Sequence, residues 1–375
     1  MNNNDGLRRN TNRRRSVAAR KNRNRKVLIG VIIALIVLIW TATILLILNG
    51  RGNIGSGGDV TTPAVTTPAE TDPVTTPAET TPAVTDPVTT PAETTAPQIV
   101  QGYKEITLTP DELHAGELIL INYTLGFEFV EPVGLDNQLK KIYGSHPASH
   151  YTHPNSSQLL RADVLGAFNE MMADFYAFSE DGSTQTRLAY RSYDSQKELY
   201  DKYGDSYVYP GYSEHQTGAV IDLNVIRWSE TVNAKGETVR TSETYELGYF
   251  DIFDWIYENC CKYGFVLRYP ESKVSKTGVG NDKDHFRYVG VAHATYMYEN
   301  NLCLEEYLAL LQSHTYESEH ITVDCDGKSY EIYYIAASLD EEGNITDTTV
   351  YVPENLPYTV SGNNYDGFVV TVEKN

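Results

Sequence analysis

The chain has 375 residues, of which 41% are hydrophobic and 21% are charged, and its formal net charge is −20. This length accommodates one sizeable domain with additional segments. The charge is uneven, because residues 1–26 contain ten Arg or Lys and one acidic residue, so that the remainder carries 20 basic and 49 acidic residues. Such an acidic body argues against a nucleic-acid-binding protein, and four cysteines are too few for a disulfide scaffold.

Residues 27–48 contain no charged side chain. At about 1.5 Å per residue, a helix of this length spans roughly 33 Å, which is enough to cross the hydrocarbon core of a bilayer. The basic tail at 1–26 predicts that the N-terminus is cytoplasmic, and that the chain after the span lies outside the cell membrane. A cleaved signal peptide is the alternative, but the apolar run is long for one and no clean cleavage site follows it.

Residues 49–98 are first Gly-rich and then rich in Thr and Pro. The segments 68–81 and 82–95 form a 14-residue repeat that differs at a single position, where Glu70 becomes Val84. Frequent proline excludes helix and sheet and favours polyproline II. At about 3.1 Å per residue, the Thr/Pro tract predicts a disordered linker that reaches about 115 Å at most.

Residues 99–315 mix helical and strand patterns, with too few strands for a doubly wound sheet, which predicts an α+β fold. In chain order we expect a strand at 118–122, a helix at 159–178, a strand at 186–191, a helix from the N-cap Ser192 to Gly204, the apolar strand around Asp222, a polar loop or excursion at 227–246, a helix at 250–263, strands at 265–269 and 286–289, and one or two helices at 291–311.

Residues 316–375 change to strand patterns throughout and predict a small all-β module. The first two strands flank Asp326-Gly327, a dipeptide typical of a hairpin turn. The module is near the lower size limit for folding alone. Packing on the preceding domain and binding a cell-wall component are both open as its role.

The densest group of polar residues lies in G-Y-S-E-H-Q-T-G-A-V-I-D-L-N-V-I, where a turn with His215 leads into an apolar strand that carries Asp222. Asp is uncommon in strands, and an unpaired carboxylate among aliphatic side chains is strongly penalised, so Asp222 needs a cation. His285, in N-D-K-D-H-F-R-Y, is the third candidate. Two histidines and one aspartate would hold Zn²⁺ and leave a fourth position for water, as in catalytic zinc sites. The alternative is a structural network of satisfied polar groups.

Four motifs resemble those of the VanY-type zinc D-alanyl-D-alanine carboxypeptidases, which belong to the hedgehog/DD-peptidase-like metallopeptidases. The segment S-E-H-Q-T-G-A-V-I-D is similar to the family's S-x-H-x-x-G-x-A-x-D, with the alanine one position early at Ala219. The segment A-Y-R-S-Y-D-S-Q resembles G-Y-R-S-Y-x-x-Q, and G-F-V-L-R-Y-P and H-F-R-Y-V-G match as well. All four occur in the family's order.

The resemblance extends over 99–315 and implies a compact zinc peptidase domain with a small antiparallel sheet and flanking helices. It implies that His215, Asp222 and His285 are the zinc ligands.

The resemblance also implies three substrate-binding residues. Arg191 matches the arginine that helps to bind the peptide near the scissile bond, and a guanidinium suits a terminal carboxylate. Ser213 matches a substrate-contacting serine of the family and would otherwise be a turn residue. Gln196 matches the family's glutamine, although a helix-surface role explains it equally well.

One departure from the family concerns the general base. The family commonly has E-P-W-H before the third ligand, whereas this chain has D-K-D-H, so Asp282 stands where glutamate is expected and Asp284 replaces tryptophan. Aspartate is one methylene shorter, and a displacement of about 1 Å can cost on the order of a hundredfold in rate. We expect Asp282 to act as the catalytic base, with Asp284 as the alternative.

Together these features predict a membrane-anchored, extracytoplasmic zinc metallopeptidase that hydrolyses the terminal D-Ala-D-Ala bond of peptidoglycan stem peptides and binds no nucleic acid. The same fold also supports D,D-dipeptidases and peptidoglycan endopeptidases. A different class remains open, a peptidoglycan-binding module with a degraded active site, because of the D-K-D-H departure.

Overall fold

The computed structural model describes residues 102–126 and 135–374. The predicted tail at 1–26, the span at 27–48 and the linker at 49–98 lie outside these residues. Within the two described ranges, no helix combines the length and the apolar character that crossing a bilayer requires.

The described residues form a mixed α/β fold. The strands are Tyr103–Leu108 (β1), Leu139–Lys141 (β2), Leu159–Arg161 (β3), Thr184–Leu188 (β4), Val220–Val232 (β5), Thr238–Tyr245 (β6), Phe265–Tyr269 (β7), Asp282–Tyr288 (β8), Ile321–Cys325 (β9), Lys328–Ala336 (β10), Thr348–Pro353 (β11), Tyr358–Gly362 (β12) and Gly367–Glu373 (β13). The α-helices are Leu135–Gln138 (α1), Ala162–Ser179 (α2), Tyr193–Tyr203 (α3), Asp254–Asn259 (α4), Val274–Thr277 (α5), Val291–Glu299 (α6) and Leu304–Leu311 (α7).

The central sheet is antiparallel, with the order β4-β5-β8-β7 and with β6 paired to the outer part of β5. Side chains alternate between the two faces of a strand. In β5, Ile221, Leu223 and Val225 join the main hydrophobic core, whereas Asp222 between them lies on the opposite face. Because of this alternation, one strand contributes side chains to the core from one face and to a polar site from the other.

Helix α2 covers the core face of this sheet. Its buried residues recur at helical spacing, which places them on one side of the helix; they are Val164, Leu165, Phe168, Met171, Met172 and Phe175. At about 25 cal/mol per Å² of apolar surface, burying each such side chain contributes on the order of 2 kcal/mol. The helix predicted at 159–178 is therefore present, with its start moved to Ala162 because β3 occupies the preceding residues.

The C-terminal strands β12-β13-β10-β9 form a second antiparallel sheet, and Asp326-Gly327 makes the predicted hairpin turn with positive φ at both residues. This sheet packs on the preceding helices, because Ile332 and Val369 share one buried cluster with Leu304 and Leu308 of α7. Strand β1 pairs with β11 over its whole length, so an N-terminal strand from the 99–315 segment completes the C-terminal module.

The strand predicted at 118–122 is wrong. Residues 118–121 are buried, but they form no ladder with another strand. Side chains satisfy part of this backbone instead: Ser361 Oγ accepts from the Leu118 amide, and Asn364 donates to the Leu120 carbonyl. Because these backbone groups have hydrogen-bond partners outside a sheet, the buried apolar run does not have to form a strand.

Two further local predictions change. Of the two alternatives predicted for 227–246, the loop is wrong and the excursion is present, because β5 continues to Val232 and forms a mostly exposed hairpin with β6. The segment is polar because both faces of this hairpin are exposed to solvent. The helix predicted at 250–263 is divided into 3₁₀ turns and the short helix α4, with Gly264 in the left-handed conformation at its end.

The buried imidazole of His293 on α6 should make the stability of the fold depend on pH. Its Nδ1 lies 2.8 Å from the Tyr307 hydroxyl of α7, and its Nε2 lies 2.9 Å from Thr371 Oγ1 of β13. Burial lowers the pKa of His293 from 6.5 to about 3. Below its ordinary pKa the unfolded chain takes up a proton that the folded chain does not, so stability falls as the pH falls from 6.5 toward 3. Between neutral pH and about pH 5 the loss should be about 2 kcal/mol.

Urea denaturation of the wild type and of His293→Gln at neutral pH and near pH 5 measures this contribution. The variant has no titrating group at this position, so its free energy of unfolding should fall by about 2 kcal/mol less than that of the wild type. Equal decreases in the two proteins would show that His293 is not held neutral in the fold.

Candidate active site

Three side chains from separate parts of the chain meet on the polar face of the central sheet. His215 lies in the 3₁₀ turn Glu214–Thr217, which ends at Gly218 with φ +67°. Asp222 lies on β5 and pairs directly with His285 on β8. One ligand atom from each of the three residues lies within 4.8 Å of the others, and all three side chains are buried.

The hydrogen bonds around these residues leave their ligand atoms facing each other. His215 Nδ1 lies 2.8 Å from the Ala189 carbonyl, so this nitrogen donates and Nε2 keeps its lone pair. Asp222 Oδ2 accepts from Arg187 at 2.9 Å, whereas Asp222 Oδ1 is buried without a hydrogen-bond partner among the described residues. Oδ1 lies 3.0 Å from His285 Nδ1 and 3.5 Å from His215 Nε2.

The electrostatics of the site favour a bound cation. Burial opposes ionisation of Asp222, yet the neighbouring histidines hold the pKa of Asp222 well below its ordinary value. Burial would also lower the pKa of His285, but the carboxylates of Asp222 and Glu214 raise it to about 9. An unpartnered carboxylate oxygen between two imidazole nitrogens is a donor set that suits Zn²⁺. The residues present therefore fit a zinc ion.

A cleft of about 230 Å³ opens over this group. Its lining combines tyrosine and aliphatic side chains with polar and charged groups, as expected of a small-molecule or peptide site. All seven residues predicted to bind metal or substrate or to act as the base line it, namely Arg191, Gln196, Ser213, His215, Asp222, Asp282 and His285.

Arg191 is held at the cleft wall by two contacts. Its amide donates to the His215 carbonyl at 3.2 Å, and its Nη1 donates to Gln196 Oε1 at 2.6 Å. Gln196 is 1% exposed and also donates to the Val208 carbonyl. Gln196 is therefore not a helix-surface residue, and its amide fixes the guanidinium through a charge-assisted hydrogen bond.

The structure separates the two candidate bases. Leu267 pairs with Phe286 and Tyr269 pairs with Asp282, so a two-residue step on β7 faces a four-residue step on β8. This irregularity brings Asp282 to the cleft. Asp284 is turned away, because its Oδ1 accepts from the Leu247 amide at 2.9 Å and it does not line the cleft.

Four charged residues near the site have no role in the sequence prediction. Arg187 contacts Asp222, and Glu214 lies against His285 with Arg268 and Arg287 behind it. For two of them the sequence does contain an indication, because each of the apolar strand patterns at 265–269 and 286–289 includes an arginine. A buried arginine needs a partner anion, but the sequence does not show which acid it meets.

Comparison with known proteins identifies the family. The family described as D-alanyl-D-alanine carboxypeptidase, VanY, matches residues 157–291. A D-alanyl-D-alanine carboxypeptidase of Enterococcus faecium is 34% identical over 276 residues, which cover 72% of this chain and 79% of that protein. The putative carboxypeptidase YodJ of Bacillus subtilis strain 168 is 35% identical over 158 residues, which cover 40% of this chain and 53% of that protein.

Among solved structures, the vancomycin resistance D,D-dipeptidase VanXYg, in complex with a D-Ala-D-Ala phosphinate analogue, superimposes with a TM-score of 0.56. It is 28% identical, and the match covers 72% of this chain and 99% of that one. The likeness extends well beyond the four sequence motifs. The chain belongs to the VanY family of D-alanyl-D-alanine carboxypeptidases and is a hydrolase of that family.

Proposed function

We propose that this protein is a zinc-dependent carboxypeptidase that removes the terminal D-alanine from peptidoglycan stem peptides ending in D-Ala-D-Ala. The observation that carries this proposal is the meeting of His215, Asp222 and His285, with their ligand atoms within 4.8 Å of one another, in a cleft that also contains Arg191 and Asp282. Its family relatives named as D-alanyl-D-alanine carboxypeptidases support the same substrate class.

His215 through Nε2, Asp222 through Oδ1 and His285 through Nδ1 would hold the zinc ion. When bound there, zinc supplies Lewis acidity toward the scissile carbonyl and toward the attacking water. Arg187 keeps the second oxygen of Asp222 occupied, and Ala189 fixes the tautomer of His215, so the donor atoms are oriented before the metal binds.

The cleft residues supply binding and proton transfer. Arg191 would pair with the terminal carboxylate of the peptide, and Gln196 holds its guanidinium in place. Ser213, which directly precedes the 3₁₀ turn that carries His215, would contact the peptide. Asp282 would accept the proton of the attacking water and donate it to the nitrogen of the departing D-alanine as the peptide bond breaks.

The direct test is to incubate the purified chain with a stem pentapeptide ending in D-Ala-D-Ala and to measure released D-alanine. We expect release that a chelator abolishes and that added Zn²⁺ restores. A folded, zinc-loaded protein that releases no D-alanine would contradict the proposed activity.

A second candidate is D,D-dipeptidase activity, because the structure that superimposes with a TM-score of 0.56 is that of a D,D-dipeptidase. The two activities differ in substrate, since a dipeptidase acts on free D-Ala-D-Ala. Comparing kcat/KM for the dipeptide and the pentapeptide separates them. We expect the pentapeptide to be the better substrate; a preference for the free dipeptide would reverse the assignment.

We further propose that the catalytic domain is extracytoplasmic and anchored in the cell membrane. The proposal follows from the uncharged run at 27–48, the basic residues before it and the Thr/Pro tract after it. Cell fractionation, followed by protease treatment of intact protoplasts, measures this placement. The domain should be in the membrane fraction and accessible to protease; a domain that resists protease until the cells are lysed would contradict it.

A further inference from the structure

The metal ligand His285 has a second ring nitrogen that faces a buried carboxylate. We propose that Glu214 is a positioning residue that orients the His285 ring for zinc, and that helix α7 holds Glu214 through Arg268 and Glu305. This inference rests on the proposed zinc site.

The position of His285 determines which of its ring nitrogens would bind the metal. Its Nδ1 lies 3.0 Å from Asp222 Oδ1, on the side of the ligand group, so Nδ1 is the nitrogen that would bind the metal. A neutral imidazole that binds metal through Nδ1 carries its proton on Nε2. That nitrogen is buried and lies 3.5 Å from Glu214 Oε2, and neither atom has a hydrogen-bond partner among the residues described.

Glu214 is buried and remains charged because it is paired with arginines. Its side chain is 1% exposed, and its Oε1 accepts from Arg268 Nε at 2.9 Å and lies 3.6 Å from Arg287 Nη1. Two guanidinium groups beside a carboxylate favour its charged form even in a buried place. A carboxylate that accepts from a metal-bound histidine fixes the ring and makes it a stronger ligand.

The two arginines are themselves held by partners outside the site. Arg268 donates to both oxygens of Glu305 on α7, at 2.8 Å and 2.7 Å, which is a bidentate pair. Arg287 donates to the carbonyls of Glu117 and Ile119. Glu305 and Glu117 both lie outside the 157–291 segment that matches the family, so residues outside this segment support the ligand geometry.

The test compares zinc affinity, measured by competition with a chelating dye, in the full-length wild type and in Glu214→Ala and Glu214→Gln. We expect the dissociation constant of Glu214→Ala to rise by about 10- to 100-fold, the range seen when such outer partners are removed. Glu214→Gln keeps an acceptor oxygen but loses the charge, so its affinity should be intermediate. Glu306→Gln is the matched control, because Glu306 is the neighbour of Glu305 on α7 and pairs with Lys273 outside this network.

The spectrum of the Co²⁺-substituted protein gives a second readout, because its visible bands report ligand geometry and a merely structural role of Glu214 would leave them unchanged. We expect altered bands in both Glu214 variants and unchanged bands in Glu306→Gln. A folded Glu214→Ala with wild-type zinc affinity and wild-type bands would overturn the proposal.

If Glu214→Ala fails to fold, the wild type provides the test. In the zinc-loaded protein, ¹⁵N NMR should show a slowly exchanging proton on His285 Nε2, whereas a proton on Nδ1 would overturn the inference. A wild type that binds no zinc would instead refute the proposed function, so the two failures are distinguishable.

Discussion

Asp282→Asn should lower kcat for D-alanine release by about 10²- to 10⁴-fold, while zinc affinity stays close to that of the wild type. This range is the typical contribution of a positioned general acid or base. Asparagine keeps the size of the side chain but cannot accept a proton from water. Because Asp282 lines the cleft and is not among the grouped ligand residues, its loss should affect chemistry and not metal binding. Steady-state kinetics at saturating Zn²⁺ measures the effect.

Asp284→Asn is the matched control, since it changes the same functional group two residues away on β8. Asp284 accepts from the Leu247 amide, and an asparagine oxygen can accept the same hydrogen bond. We expect activity within several-fold of the wild type. Loss of activity in Asp284→Asn with retention in Asp282→Asn would show that Asp284 is the general base.

Arg191→Ala should lower kcat/KM by about 10²- to 10³-fold. Removing one partner of a buried, hydrogen-bonded charge pair costs about 2–5 kcal/mol, and each 1.4 kcal/mol is tenfold. The proposed partner of the guanidinium is the terminal carboxylate of the substrate. Kinetics with a stem peptide that ends in a carboxamide tests this pairing, because the wild type should lose a similar factor on that substrate.

The two changes form a double-mutant cycle between enzyme and substrate. If Arg191 binds the carboxylate, the variant should lose little more when the carboxylate is replaced by an amide. Effects that multiply independently would show that Arg191 acts elsewhere, for instance on the carbonyl beside the scissile bond.

The sequence predicts those parts of the site that a pattern of neighbouring residues indicates. Asp222 stands in an aliphatic strand, where a carboxylate needs a partner, and Gly218 ends the turn that carries His215. The motif order then relates these residues to His285. The hairpin at Asp326-Gly327 follows from turn chemistry alone.

The parts that the sequence does not predict depend on contacts between distant residues. The pairing of β1 with β11 joins residues more than 200 positions apart, and no local pattern specifies it. Likewise, the spacing of D-K-D-H does not distinguish Asp282 from Asp284; the irregular pairing of β7 and β8 does. The partners of Glu214 are equally non-local, since they come from β7, β8 and, through Arg268, α7.

The central claim is that His215, Asp222 and His285 bind one zinc ion. Its most direct test is a crystal structure of the zinc-loaded protein with an anomalous difference map collected at the zinc absorption edge. We predict a single strong peak between His215 Nε2, Asp222 Oδ1 and His285 Nδ1, at about 2.0–2.2 Å from each. A map from protein of unit zinc content that has its peak elsewhere, with these three side chains bonded only to protein groups, would contradict the account.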